Sequence, residues 1–229
     1  MIRDFTPELV ARLTSGDTSS RMHAVLEYTK TIAHCESVMV TCRAVDGGND
    51  EVIVNDGYPP ETVQHLVSGI DRMPEFGLQF RHPLRLLGWE DTPGFSDSYT
   101  AAEVLQPAGY RNGFTLLLQD DRYRIVGACI GNFARKDFTD TCREMLNQLR
   151  PVFAREVVGR YRQKSIGLSP REHEVLAALQ QGQSNTEIAN GMDISPRTVA
   201  THVENVLRKL GVTNRVAAAV AATQLGLAH

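Results

Sequence analysis

The sequence predicts two domains of different class: an α+β domain built on an antiparallel sheet, then an all-α domain of four helices. Three observations carry this. The chain has 229 residues, more than the roughly 100–150 of a common single domain. Up to about Arg162, helical stretches alternate with two pairs of strand-like segments, each pair split by a turn rich in Gly or Asp. Beyond that point only helix start and stop signals remain. The division falls at residues 1–163 and 164–229.

Residues 19–34 place Met22, Val25, Leu26 and Ile32 at helical spacing. ESVMVTCRAV and EVIVN then flank DGGND, a hairpin signal because Gly and Asp tolerate positive φ. A polar helix follows Pro60. The Pro- and Gly-rich stretch from Pro74 to Gly94 is the least legible, with FRHPLRLL as a candidate short strand, and Ser96–Leu105 reads as another helix. GFTLLLQ and YRIVGACIGNF form a second hairpin across Asp120-Asp121 and Arg122. Phe138, Cys142, Met145, Leu146, Leu149, Val152, Phe153 and Val157 recur at three- and four-residue steps. They mark a long amphipathic helix from Asp137 to Tyr161, with Pro151 as a kink point. Polar QKSIG after it reads as linker.

Composition excludes several classes. Hydrophobic residues at 42% and charged residues at 22% are ordinary for a globular protein. The longest apolar runs, Phe114–Leu118 and Val216–Ala222, fall far short of the roughly 20 residues of a membrane span. MIRDFTPELV lacks the basic-then-apolar order of a secretory signal, so the expected location is the cytoplasm. Cys35, Cys42, Cys129 and Cys142 are scattered and read as buried free thiols, without a metal site or cofactor. No nucleophile elbow, phosphate loop, HExxH or paired catalytic carboxylates appear, so no enzyme is expected.

The net charge is −3, and from Ser165 onward cations and anions balance. The case for a nucleic-acid partner therefore rests on arrangement. Ser169-Pro170-Arg171-Glu172 is a capping box with Pro at the first helical position, and Gly182 ends that helix. Ser184-Asn185-Thr186-Glu187 is a second box, whose helix Gly191 is expected to stop. Ser195 caps a third helix that runs to Leu210 before Gly211, and Asn214 caps a fourth, Ala-rich one. Two short helices separated by GMDI have the spacing of a helix-turn-helix over about 185–204. Val199, Val203, Val206 and Leu210 share one stripe of the third helix; Arg197, Thr201, Glu204 and Arg208 share the opposite one. Arg pairs with guanine or phosphate, Thr meets a thymine methyl and Glu accepts from cytosine N4, so the second stripe is competent to read bases.

This stretch resembles the LuxR/NarL helix-turn-helix, at Arg171-Glu172, Glu174-Val175-Leu176, Gly182, Ser184-Asn185, Glu187-Ile188-Ala189, Ile194-Ser195, Thr198-Val199, His202-Val203, Lys209-Leu210 and Arg215. The resemblance implies a transcription regulator whose third helix contacts double-stranded DNA. It implies contacts from Ser184, Asn185, Arg197, Thr198, Thr201, His202, Glu204, Asn205, Arg208 and Lys209, and a homodimer formed through Val216, Val220 and Thr223 of the fourth helix. RNA polymerase is a further candidate partner. Ala200 and Thr186 stand where the family often has a basic residue, so fewer phosphate contacts are available and a dimer is more strongly required.

In the first domain, the order helix, hairpin, helices, hairpin, long helix resembles GAF or PAS-like sensory domains. Tyr58, Phe76, Phe80, Trp89, Phe95 and Tyr99 either pack as a core or line a cavity. The paired Trp, Tyr and Asp-Pro signatures of lactone receptors are not found. Two readings stay open: a sensor for a small-molecule effector or partner protein, and a module that only dimerises or docks on another regulator. The long helix is expected to carry the state of the first domain to the second.

Overall fold

The computed structural model describes residues 18–225 apart from Gly69 and Lys136; the MIRDFTPELV segment lies outside them. Two compact units divide between Val158 and Gly159, a few residues before the 163/164 division read from the sequence.

Among the described residues the first unit contains helix α1 (Thr18–Ala33) and a four-stranded antiparallel sheet of order β2-β1-β4-β3. β1 (Ser37–Cys42) and β2 (Glu51–Asp56) form the first hairpin, β3 (Asn112–Gln119) and β4 (Ile125–Phe133) the second, and β1 pairs with β4 from Ser37↔Asn132 to Cys42↔Gly127. β1 is buried along its whole length, because it is central and both faces of the sheet are covered. That explains its continuous apolar run where a half-exposed strand would alternate. Asp120 makes the second turn: its Oδ1 accepts from the amides of Arg122 at 3.0 Å and Arg124 at 2.9 Å, and its Oδ2 from Arg124 Nε at 2.8 Å. Burial alone would raise its pKa, but these bonds hold the carboxyl below its ordinary value.

One face of the sheet, through Met39, Leu117, Ala128 and Ile130, packs on the crossing between β2 and β3. That crossing holds α2 (Pro60–Val67), α3 (Gly77–Arg81), three-residue turns and a π-helix at Thr100–Leu105. The other face meets α1 and α4 (Asp140–Ile166), where Val157 sits against Gly127. Arg21 Nε ties α1 to α4 through Glu156 at 3.3 Å.

Three local readings are corrected. FRHPLRLL is no strand. Phe80 and Arg81 end α3, and Pro83 lacks an N–H. Arg150 Nη1 takes the Pro83 carbonyl at 3.0 Å and Nη2 the Leu84 carbonyl at 3.1 Å, acceptors that a ladder would need. Ser96–Leu105 is split between a 3₁₀ turn at Phe95–Asp97 and the π-helix, closed by Gln106 N donating to Ala101 O at 2.8 Å. QKSIG is no free linker, since α4 continues to Ile166 with Pro151 inside it.

The four cysteines are buried free thiols. Burial pushes Cys35 up to about 12 and Cys129 well above its ordinary value, which keeps them protonated and inert. Of the six middle-section aromatics, Tyr58, Phe76, Trp89 and Phe95 are buried in the core, Phe80 is half-buried against it, and Tyr99 is exposed. Packing and cavity prove compatible: Phe76, Trp89 and Phe95 also line a partly open cavity of about 30 Å³. Among the described residues, no helix is long and apolar enough to cross a membrane.

Candidate nucleic-acid interface

The second unit contains α5 (Pro170–Gln180), α6 (Asn185–Met192), α7 (Pro196–Leu210) and α8 (Arg215–Leu225). Each helix start is chemically specified. Ser169 Oγ accepts from Glu172 N at 3.3 Å while Glu172 Oε2 accepts from Ser169 N at 2.7 Å. Ser184 and Glu187 repeat the exchange at 3.3 and 2.7 Å. Ser195 Oγ accepts from Thr198 N at 3.1 Å, and Asn214 Oδ1 from Ala217 N at 2.9 Å. Each cap satisfies an amide that the first turn leaves unpaired. One stop differs from expectation: Gly191 is helical and α6 ends at Asp193, whose φ of 54° closes the turn. Asp tolerates this left-handed conformation better than most residues, so the break between α6 and α7 is only Asp193 to Ser195.

α7 sorts its side chains as the sequence suggests. Val199 and Val206 are fully buried, and Val203, Leu207 and Leu210 pack around them against α5 and α6. Arg197, Thr198, Thr201, Glu204 and Arg208 are exposed, with His202 and Asn205 half-buried at the margin. Arg208 Nη2 donates to Asn205 Oδ1 at 3.3 Å. No ion pair joins it to Glu204 among the described residues. Ser184 opens α6 and Ser195 opens α7 at the end of the turn, each helix start carrying partial positive charge. Asn185 is half-buried, and its Oδ1 has no partner among the described residues.

Lys209 stands apart from the other candidates. Its Nζ donates to Glu172 Oε2 at 2.6 Å and to Gly167 O at 2.8 Å, tying the end of α7 to the start of α5. Burial would raise the Glu172 pKa, yet the bonds from Lys209 and Ser169 hold the carboxyl below its ordinary value. Sequence reasoning misses this pair because 37 positions separate its members and each has a sufficient local explanation, one as a capping residue and one as a helix-end cation. In α8, Val216 and Val220 are 68% and 51% exposed. The Thr223 hydroxyl instead bonds Ala219 O and Gln180 Nε2, both at 3.1 Å.

Residues 167–222 match the family described as bacterial regulatory proteins, luxR family. The nitrate/nitrite response regulator protein NarP of Escherichia coli (strain K12) is 34% identical over 125 residues, 55% of this chain and 55% of NarP. The chain thus spans about half the length of that curated relative. SdiA in complex with octanoyl-rac-glycerol is similar in fold at 18% identity and a TM-score of 0.51, covering 97% of this chain and 95% of that one. The GAF domain of an Acinetobacter phosphoenolpyruvate-protein phosphotransferase covers 66% of this chain and 89% of its own, at 12% identity and a TM-score of 0.51. The C-terminal unit is therefore a helix-turn-helix domain of the luxR family, on one chain with an N-terminal unit of GAF-like fold.

Proposed function

We propose that this chain is a one-component, sequence-specific transcription regulator in which the N-terminal domain senses a small molecule or partner protein. The observation that carries the reading is the division of α7 into a buried valine stripe and an exposed stripe of Arg197, Thr201, Glu204 and Arg208, on a domain matching luxR-family regulators. Bases are read by the exposed stripe. Ser184, Asn185, Thr198, His202 and Asn205 flank it and serve phosphates or fix its entry into the groove. The cavity on the N-terminal sheet supports sensing over docking, because a docking module needs no polar-spotted hollow in its core. Binding to DNA implies work in the cytoplasm.

The active species is a homodimer through α8, where Val216 and Val220 expose apolar surface that Thr223 borders. Selection of duplexes from a random pool by the full-length protein tests the reading. The expected product is an inverted repeat whose half-sites lie one turn apart, about 34–36 Å. Recovery of sequences no richer than the starting pool would overturn specific recognition. Val220→Glu is expected to abolish cooperative occupation of the two half-sites in a mobility-shift titration; wild-type cooperativity in that variant moves the interface elsewhere.

A further inference from the structure

Residues 81–85 form an exposed loop at the edge of the N-terminal sheet, and none of them lines the cavity. Arg81, His82, Leu84 and Arg85 are exposed, and no Asp or Glu occurs between Glu75 and Glu90. No ion pair joins Arg81 or Arg85 among the described residues. Leu84 sits between these cations, 66% exposed. A lone exposed Leu is ordinary, but this one is presented on a fixed backbone. Arg150 of α4 holds the loop from behind: Nη1 donates to Pro83 O at 3.0 Å and to Leu117 O, and Nη2 to Leu84 O at 3.1 Å. One guanidinium thus fastens the loop to β3, an edge strand of the sheet. The bond to Leu117 O also blunts that edge, so a partner cannot extend the sheet there and has to dock on side chains. Two residues farther along β3, about 7 Å on, Gln119 Nε2 donates to Tyr123 O at 3.0 Å. Tyr123 is 81% exposed and has a φ of 60°. A bulky residue is rare in this left-handed conformation, which Gly or Asn adopts with less strain. The turn around it is already fixed by Asp120, which accepts from the Arg122 and Arg124 amides, so the fold has no need of an aromatic ring in solvent. Leu84 and Tyr123 therefore stand on one edge as two apolar projections. The positive charge there comes from the loop, since the turn balances Asp120 and Asp121 against Arg122 and Arg124.

We propose that this edge is a docking surface for a protein partner, and that it takes an acidic segment carrying an apolar or aromatic side chain. Carboxylates pair with Arg81 and Arg85 at the rim, while the apolar side chain covers Leu84 and Tyr123. Tyr and Arg are among the residues that most often dominate binding energy at interfaces, and a backbone already held by Arg150 loses little freedom on docking. A nucleic acid fits less well, because phosphates would satisfy the arginines and leave Leu84 against water and charge. The inference goes beyond the sensing role above and stands whether or not the cavity takes a ligand.

Random peptides displayed on phage test this, selected on the full-length protein at low salt and counter-selected on the double variant Arg81→Glu, Arg85→Glu. Enriched peptides are expected to combine Asp or Glu with Leu, Phe or Trp. The most enriched one, labelled for anisotropy, is expected to bind Leu84→Ser about tenfold more weakly than wild type and to bind wild type less tightly as salt rises. Tyr123→Gly is expected to weaken it too, with thermal stability kept or raised because Gly relieves the positive φ. All of these positions are exposed, and thermal melts confirm that each variant folds. Enrichment of peptides without acids overturns the partner class. Equal binding of the selected peptide to wild type and Leu84→Ser overturns the assigned surface. Lower stability of Tyr123→Gly with unchanged binding removes Tyr123 from the surface and returns it to the fold. If no peptide is enriched, the proposal falls. In that case a loss by the double variant of affinity for a random-sequence duplex assigns the edge to nucleic acid, and a loss of wild-type self-association assigns it to a second copy.

Discussion

Each unit is stabilised internally by polar ties, and the range of those ties differs between the two. In the helix-turn-helix domain most ties join residues three apart: Ser169 with Glu172, Ser184 with Glu187, and Ser195 with Thr198. In the GAF-like domain the turns between residues 82 and 99 are held from far away by α4. Arg143 donates to Leu86 O across 57 positions at 2.8 Å and pairs with Glu90 and Asp91, both at 2.6 Å. Arg150 reaches Pro83 O across 67 positions and also bonds Leu84 O and Leu117 O. Near-neighbour caps fix each helix without reference to the rest, so the DNA-facing stripe is preset. The cavity wall is instead suspended from two arginines of a helix that runs on into the second unit, so disturbing the wall disturbs α4.

The largest effect expected from breaking this contrast is at Gly127. A Cβ there would press on the Thr41 carbonyl and on Val157 of α4, and neither a central strand nor a buried helix can yield cheaply. Gly127→Ala should destabilise the N-terminal unit by about 3 kcal/mol, the upper end of overpacking costs, while the C-terminal transition in a denaturant melt stays in place. Equal loss in both transitions would refute independent stabilisation of the units.

Next comes the long-range ion pair of the C-terminal unit, Lys209 with Glu172. Lys209→Met leaves Glu172 buried without its cation and should cost about 2–3 kcal/mol, somewhat below the figure for fully buried pairs because Lys209 is partly exposed. The pH dependence follows from the depressed Glu172 pKa. Its contribution is complete above the unfolded carboxylate value near 4.3 and is lost as pH falls through the lower folded value. Acid melts of wild type should show that loss in the C-terminal transition, and the Lys209→Met profile should be flatter there.

On the reading stripe, Arg197→Ala or Arg208→Ala should weaken operator binding by about 1–3 kcal/mol with melting unchanged within about 0.5 kcal/mol. Full affinity in both would mean that the groove face is misassigned. The smallest effect is sought at a single cap: Ser195→Ala should lower C-terminal stability by about 1 kcal/mol, measured by the same melts.

The same difference of range decides what the sequence reveals. α5, α7 and α8 are legible to within a residue or two because Ser169-Pro170, Ser195-Pro196, Asn214, Gly182 and Gly211 announce their ends locally. Only the stop of α6 is misread, since Asp193 rather than Gly191 takes positive φ. Both hairpins are legible from their turns. Residues 74–105 are not, because their shape depends on Arg143 and Arg150, and no local rule links an arginine to carbonyls some sixty positions away. The same holds within the candidate site. The stripe of α7 is visible as periodicity, whereas the engagement of Lys209 by Glu172 exists only once the chain is folded.

The engagement of Lys209 has a consequence for how the protein tolerates its ionic surroundings. Of the five Lys and Arg side chains from Ser165 onward, Lys209 is held by Glu172, Arg171 by Glu174 at 2.7 Å and Arg215 by Gln183 O. Arg197 and Arg208 are left without an ion pair among the described residues. Each phosphate neutralised by such a cation releases about 0.9 of a condensed counterion, so a dimer using four arginines would show a slope of log K against log salt of only about −3.6. Operator affinity would then fall about twelvefold when the salt doubles, against several hundredfold for a dimer that neutralises ten phosphates, and specificity would depend on the fit of the reading face more than on ion release.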